Sequence, residues 1–253
     1  MRLRHPVHPY LLLISILAFH TGCQKTVPVN NPVSKNSHQM ILVVTPDFDQ
    51  PHGMLQRFER QSAGIWQPVG SKVAVVVGRN GLAWGRGLHP EQINGPQKKE
   101  GDGKSPAGVF QLNAVFGFAP PEKAAALKMP YIQVTETLEC IDDAQSKFYN
   151  LVRDRDAVPQ VDWRSSEKMH EIAQYHLGVT VGHNAKQTPG GGSCIFLHIW
   201  DGPESATSGC TAMQRDPLET IVTWLGAESD PILVQLPEPE YFRLLRDWQL
   251  PQF

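Results

Sequence analysis

A histidine and a cysteine twelve positions apart, His198 and Cys210, are the residues of this sequence best suited to covalent chemistry. His198 lies in a strand-like apolar run, Cys194-Ile195-Phe196-Leu197-His198-Ile199-Trp200. Cys210 lies in a turn of small residues, Thr207-Ser208-Gly209-Cys210-Thr211-Ala212-Met213. A nearby imidazole raises the thiolate fraction of a thiol, and the thiolate attacks a carbonyl carbon to form an acyl-enzyme. Small residues at Ser208 and Gly209 let backbone N–H groups face the developing oxyanion. A lone Cys and a lone His on apolar segments are more often core filler, so the rest of the chain has to decide.

The elements that must position this pair are mostly strands. The 253 residues are 41% hydrophobic, enough for a sizeable core, and contain 21 Gly and 21 Pro, which favours a turn-rich β fold with a few helices. A formal charge of −2 leaves no basic footprint for nucleic acid. Strands are expected at Gln39–Thr45, Ile65–Val69, Lys72–Val77, Gly108–Leu112, Tyr131–Thr137, Val179–Gly182 and Pro231–Leu236, with Leu82–Trp84 returning from an Asn80-Gly81 hairpin turn. Helical turns are expected over Leu55–Arg60 and Pro120–Lys128. A helix capped by Ser165 or Ser166 is expected to run to His176 or Leu177, with Gly178 ending it. Asp216 reads as the N-cap of another helix, reaching Trp224 or Leu225. The tail, Pro239 to Phe253, reads as a helix that packs Phe242, Leu245 and Trp248 on the body. Residues 139–164 read as a polar loop, and Pro189-Gly190-Gly191-Gly192 as a flexible linker or lid hinge.

The N-terminus reads as an export signal. Arg2 and Arg4 precede an apolar stretch, Tyr10 to Phe19, too short to span a bilayer, and Thr21-Gly22-Cys23 resembles the end of a bacterial lipobox with Cys23 lipidated. Residues 1–23 are then the leader, 24–38 a flexible tether and 39–253 one domain, placing the chain in the periplasm or cell envelope on a lipid anchor. In an oxidising compartment the remaining cysteines, Cys140 and Cys194, are able to pair. Gly103-Lys104-Ser105 lacks the upstream glycine and following helix of a phosphate loop, and no zinc spacing is present. No cofactor or metal is expected.

Four motifs in order then resemble one family. Lys104-Ser105-Pro106-Ala107-Gly108-Val109-Phe110, Gly182-His183-Asn184, the run through His198, and Ser208-Gly209-Cys210-Thr211-Ala212-Met213 are similar to the YkuD-type L,D-transpeptidases, over roughly residues 70–236. The resemblance implies a β-sandwich or capped barrel, with Cys210 as nucleophile and His198 as general acid and base. It implies transfer between peptidoglycan stem peptides that forms cross-links. The rival outcomes are an L,D-carboxypeptidase or amidase on the same scaffold and a non-catalytic wall-binding lipoprotein. Two departures stand out: the family turn has a histidine where this chain has Ser208 and an arginine where it has Ala212. His183 and Asn184 are candidates for substrate binding, and Arg79, Arg86, Lys104, Arg153 and Arg215 for holding a substrate anion.

Overall fold

The computed structural model describes Met1, residues 31–61 and residues 64–253. The expected leader beyond Met1, Cys23 included, and residues 24–30 of the tether lie outside them. The part of the tether inside them is not loose. Ser37 is fully buried and its hydroxyl donates to Asp230, His38 N donates to Ser229 O at 2.7 Å, and Arg60 Nε donates to Ser37 O at 2.8 Å.

A long continuous run of apolar β-branched residues is buried on both faces, as a strand inside a covered sheet must be. That holds for β1 (Gln39–Thr45), every residue of which is buried. It pairs antiparallel with β2 (His52–Glu59), which pairs antiparallel with β3 (Gln67–Val76). The expected helical turn at Leu55–Arg60 is therefore strand β2: both its edges are taken by neighbours, and ladder pairing overrides the local preference. The two expected pieces around residues 65–77 merge into β3, bending at Gly70 with φ +69. Asn80-Gly81 does make a turn, with Gly81 at φ +80, but β4 (Leu82–Trp84) does not return along β3. It pairs in parallel with the start of β5 (Ser105–Gly117).

The long strand β5 is shared between four neighbours, β4 among them. After β5 come α1 (Pro121–Ala124), much shorter than the expected helix, and β6 (Tyr131–Gln133), which runs parallel to the end of β5. The expected polar loop contains two strands, β7 (Leu138–Cys140) and β8 (Val152–Asp154). The helix expected to start at Ser165 or Ser166 is instead β9 (Glu167–Lys168) and two 3-10 turns, Met169–Glu171 and Ala173–His176. Gly178, expected to end that helix, lies within β10 (Leu177–Val181). Then follow β11 (Phe196–Ile199), β12 (Thr211–Met213), α2 (Arg215–Trp224), β13 (Ile232–Pro237) and α3 (Glu238–Leu244). Helix α2 begins one residue before Asp216, with Gln214 at the N-cap position and no side-chain cap. In the tail Trp248 is buried and Leu245 partly so, but Phe242 faces solvent at 61% exposure; Tyr241 and Leu244 supply the inner face.

Eight strands close on themselves in the order β10-β11-β12-β3-β2-β1-β13-β5, the last pairing back to β10 through Leu177↔Gly117 and its neighbours. The architecture is β-rich, with a barrel-like sheet and few helices. Helices α2 and α3 cover its outside, against β10 and β11 and against β1 and β13. Of the other five strands, β4 and β6 pair along β5, and the remaining three form a separate small sheet, β8-β7-β9. No helix among the described residues is long and apolar enough to cross a membrane.

Candidate active site

Cys210 stands at the mouth of the barrel, just before β12, and His198 on the adjacent parallel strand β11. The turn that carries the thiol is tied down on both sides. Ser105 Oγ donates to Cys210 O at 2.8 Å and accepts from Gly78 N at 2.8 Å, and Thr207 Oγ1 donates to the same carbonyl at 2.6 Å. One strand further in, buried Gln235 accepts from Thr211 Oγ1 at 2.7 Å and donates to Pro106 O at 2.9 Å, locking β12, β13 and β5 together under the thiol. The Ser105–Phe110 motif is thus the underside of the nucleophile turn. Its glycine is required sterically: Gly108 has φ +136, and a Cβ there would lie 1.9 Å from the His89 ring.

A cleft of about 470 Å³ opens over the pair and is lined by Cys210, His198, Glu167, Tyr175, Asp142 and Lys98, among others. Cys210 is 7% exposed. It accepts from Phe196 N at 3.3 Å and points its own proton towards Cys194 O at 3.4 Å. Burial, reinforced by the Glu167 charge, pushes it up to about 12; Phe196 N–H, the Tyr175 hydroxyl and Lys98 pull the other way. At neutral pH the resting group is therefore the thiol, and it needs a proton acceptor.

His198 is buried. Its Nδ1 lies 2.7 Å from Ile199 O, and because a carbonyl only accepts, Nδ1 carries the proton and Nε2 is the basic nitrogen. Burial lowers its pKa below the usual histidine value, against the opposing pull of Ile199 O and Asp201, so the ring is a neutral base. The ring packs edge-to-face on Tyr175, with centroids 5.4 Å apart. The thiol makes its hydrogen bonds to the backbone of residues 194 and 196, and none to the His198 ring.

Cys194 and Cys140 are joined in a disulfide, with Cα atoms 5.9 Å apart. Cys210 is the free cysteine among the described residues. Cys194 sits in the left-handed region at φ +54, held there by Asn150 Oδ1, which accepts from its N–H at 3.0 Å. The disulfide fastens the barrel to β7 of the small sheet, and opposite Cys140 in that sheet stands Glu167. Beneath them Glu139 is 3% exposed and accepts from Arg155, Trp163 and Ser166 at 2.6–2.9 Å. A carboxylate this buried is tolerable only with such a full set of partners.

The other expected site residues divide. Ser208 and Gly209 line the cleft. Ser208 Oγ accepts from Arg79 at 3.1 Å, and Gly209 N–H is already engaged by Thr207 Oγ1 at 3.1 Å. His183 and Asn184 are not in the cleft. His183 is 2% exposed, its ring sits between Arg86 N and Gly191 O, and burial drives it down to about 3. Asn184, at φ +51, brackets the 184–192 loop through Thr188 N, Thr188 O and Gly192 O. Their work is structural, and with it the Gly-rich loop is tied rather than free.

Of the expected anion-holding residues, Arg86 serves backbone carbonyls, Lys104 binds Phe48 O and Asp49, Arg215 pairs with Glu219, and Arg153 donates to Val152 O. The cation that lines the cleft is Lys98. It is almost fully buried, paired with Asp102 at 2.5 Å, with Nζ 4.0 Å from where a Gly209 Cβ would sit. Nothing in the Gln97-Lys98-Lys99-Glu100 stretch singled it out. Glu167 and Tyr175 were equally hidden, because the expected helix put both on one element that does not form.

Compared with protein-family models and with curated proteins, the chain matches neither.

Proposed function

We propose that this chain is an exported cysteine acyltransferase of the L,D-transpeptidase type, acting on peptidoglycan stem peptides. One observation carries the proposal: a free thiol and a neutral imidazole with unprotonated Nε2 line the same cleft, on adjacent strands, in the order and setting that the four motifs imply. The barrel-like β fold suits the capped-barrel architecture of that family, and the Cys140–Cys194 disulfide suits an oxidising compartment, as export and lipid attachment at Cys23 require.

Cys210 attacks the carbonyl of a stem peptide bond as His198 Nε2 takes the thiol proton, and the imidazolium then protonates the departing amine, leaving a thioester and releasing the terminal amino acid. Thr207 occupies Gly209 N–H, so the Cys210 N–H is the donor best placed for the oxyanion, and Lys98 adds a positive charge beside it. In the second half-reaction an amine from another stem attacks the thioester. It gives its proton to His198 Nε2, which passes it to the sulfur as the carbon–sulfur bond breaks.

Intact mass after incubation with a carbapenem tests the nucleophile. One adduct is expected on the wild type and none on Cys210→Ala; an adduct that survives the substitution removes the mechanism. A tetrapeptide muropeptide tests the acceptor: cross-linked dimers are expected, whereas tripeptides alone assign the site to hydrolysis.

A further inference from the structure

One short segment frames the sulfur of Cys210. The S–H points to Cys194 O at 3.4 Å, and the sulfur accepts from Phe196 N at 3.3 Å. Where residues 194–196 sit therefore decides where the sulfur sits. The backbone of Cys194 is left-handed, with φ +54. Among the described residues, the other non-glycine positions of this kind are Asn150, Asn184, Gln187, Asp230 and Gln249. Each of those carries an amide or carboxyl side chain, and Asn and Asp tolerate this region by hydrogen-bonding locally. A cysteine has no such compensation for the crowding of its Cβ against the following carbonyl oxygen. Something else must hold residue 194.

Two grips do so, and both come from the hairpin of β7 and β8. Cys140, on β7, takes the side chain in the disulfide. Asn150, from the connection between the two strands, takes the backbone: its Oδ1 accepts from Cys194 N at 3.0 Å. Each grip is itself secured. Cys140 pairs with Val152 on one side and with Glu167 on the other. Asn150 Nδ2 donates to His183 O at 2.8 Å and to Asn184 O at 3.0 Å, and Asn150 N donates to Ile141 O at 2.7 Å. Just upstream, Ser193 Oγ donates to Glu100 at 2.7 Å and Gly192 N to the Tyr149 hydroxyl at 3.1 Å.

We infer that Cys194 is a positioning residue for the nucleophile, and that the Cys140–Cys194 disulfide serves acyl transfer by holding residue 194 left-handed. A carbonyl accepts a hydrogen bond but does not remove the proton. Cys194 O therefore holds the S–H of the resting thiol, and His198 Nε2 takes the proton during attack. The Phe196 N–H stays on the sulfur and meets the charge that develops there. Rotation of residue 194 out of the left-handed region swings its carbonyl off the sulfur and carries Phe196 with it. The thiol then loses its aim at both the substrate carbonyl and the imidazole, and a misplacement of about 1 Å is enough to cost about 100-fold in rate. The nucleophile is thus aimed in an oxidising compartment and slack in a reducing one.

The positioning role rests on the acyl-transfer proposal, so its test avoids stem recognition. Full-length protein is acylated by p-nitrophenyl acetate, and the Cys210 peptide is followed by mass. Two double variants are compared, Cys140→Ala with Cys194→Ala and Cys140→Ala with Cys194→Gly. Both lack the disulfide, but only glycine enters the left-handed region freely. The Cys194→Ala double variant should acylate about 100-fold more slowly than wild type, and the Cys194→Gly double variant should recover most of that loss. Adding His198→Ala should slow the wild type and the Cys194→Gly double variant strongly but the Cys194→Ala one little, because an unaimed thiol no longer meets the imidazole. A bridge that only stabilises the fold predicts equal rates per folded molecule, with the folded fraction read by urea unfolding; equal rates overturn the positioning role. A second measurement needs no substitution. Wild type reduced by a phosphine and desalted should lose roughly tenfold or more in Cys210 acylation and regain it on reoxidation, and an unchanged rate also overturns the role. A wild-type thiol that the ester never acylates removes the acyl-transfer proposal and the positioning role with it. If the ester results hold but stem peptides are not processed, the proposed substrate falls and the positioning role stands. If both double variants process stems at the wild-type rate, the positioning role alone falls.

Discussion

The cleft has two walls built on different principles. On the barrel side, Cys210 and His198 are placed by backbone: β11 and β12 run parallel from Leu197↔Thr211 to Ile199↔Met213, inside a sheet that closes on itself. On the other side, Glu167 and Tyr175 are placed by side chains. The small sheet has strands of two or three residues, too short to stand alone, and depends on the buried Glu139 cluster and the Cys140–Cys194 disulfide. A ladder fixes many residues at once, whereas the small sheet hangs on a few replaceable contacts. The nucleophile wall should therefore be rigid and the Glu167 wall separable from it.

Three substitutions probe that difference, from the largest expected effect to the smallest. Breaking the disulfide with Cys140→Ser opens a 54-residue span and should cost about 4 kcal/mol, read by urea unfolding with and without reductant. Hydrogen exchange should speed up in residues 138–168 first; uniform loss across the barrel would mean that the two walls are one unit.

Glu139→Gln should cost about 2 kcal/mol by weakening the bonds from Arg155, Trp163 and Ser166. Burial raises the Glu139 carboxyl, but those hydrogen bonds outweigh it, and its folded pKa lies below the unfolded one. Its contribution is therefore present above the unfolded value and lost as pH falls through the folded one. The wild type should lose stability on acidification more steeply than Glu139→Gln, and parallel pH–stability curves would exclude this carboxylate as a hub.

The smallest effect is expected on the barrel side. Thr211→Val removes the donor to Gln235 Oε1 and should cost about 1 kcal/mol, with exchange rising evenly through the barrel strands. Exchange confined to the small sheet would reverse the comparison.

How far each wall was legible in the sequence follows from the same contrast. β1 stood out as a continuous apolar run and β13 as an apolar run interrupted by Gln235, and the Ser105–Phe110 and Thr207–Met213 motifs marked the turn and its support. Leu55–Arg60 misled, because a short mixed segment takes its state from its neighbours, here two strands. Residues 139–176 misled more, since their strands are short and the partners of buried Glu139 are spread over residues 155–166. His183 looked like a site residue by type and setting, but tertiary packing buries it between Arg86 and Gly191.

The sequence by itself determined a β-rich chain and a thiol and imidazole set in motifs that make sense together, because apolar periodicity and turn chemistry are local properties. Only the tertiary structure decided what surrounds the sulfur. Glu167, Tyr175 and Lys98 line its cleft from segments 35 to 112 positions away, held by a disulfide, an aromatic contact and an ion pair. Burial and proximity across such distances set how acidic the thiol is, and no local pattern encodes them.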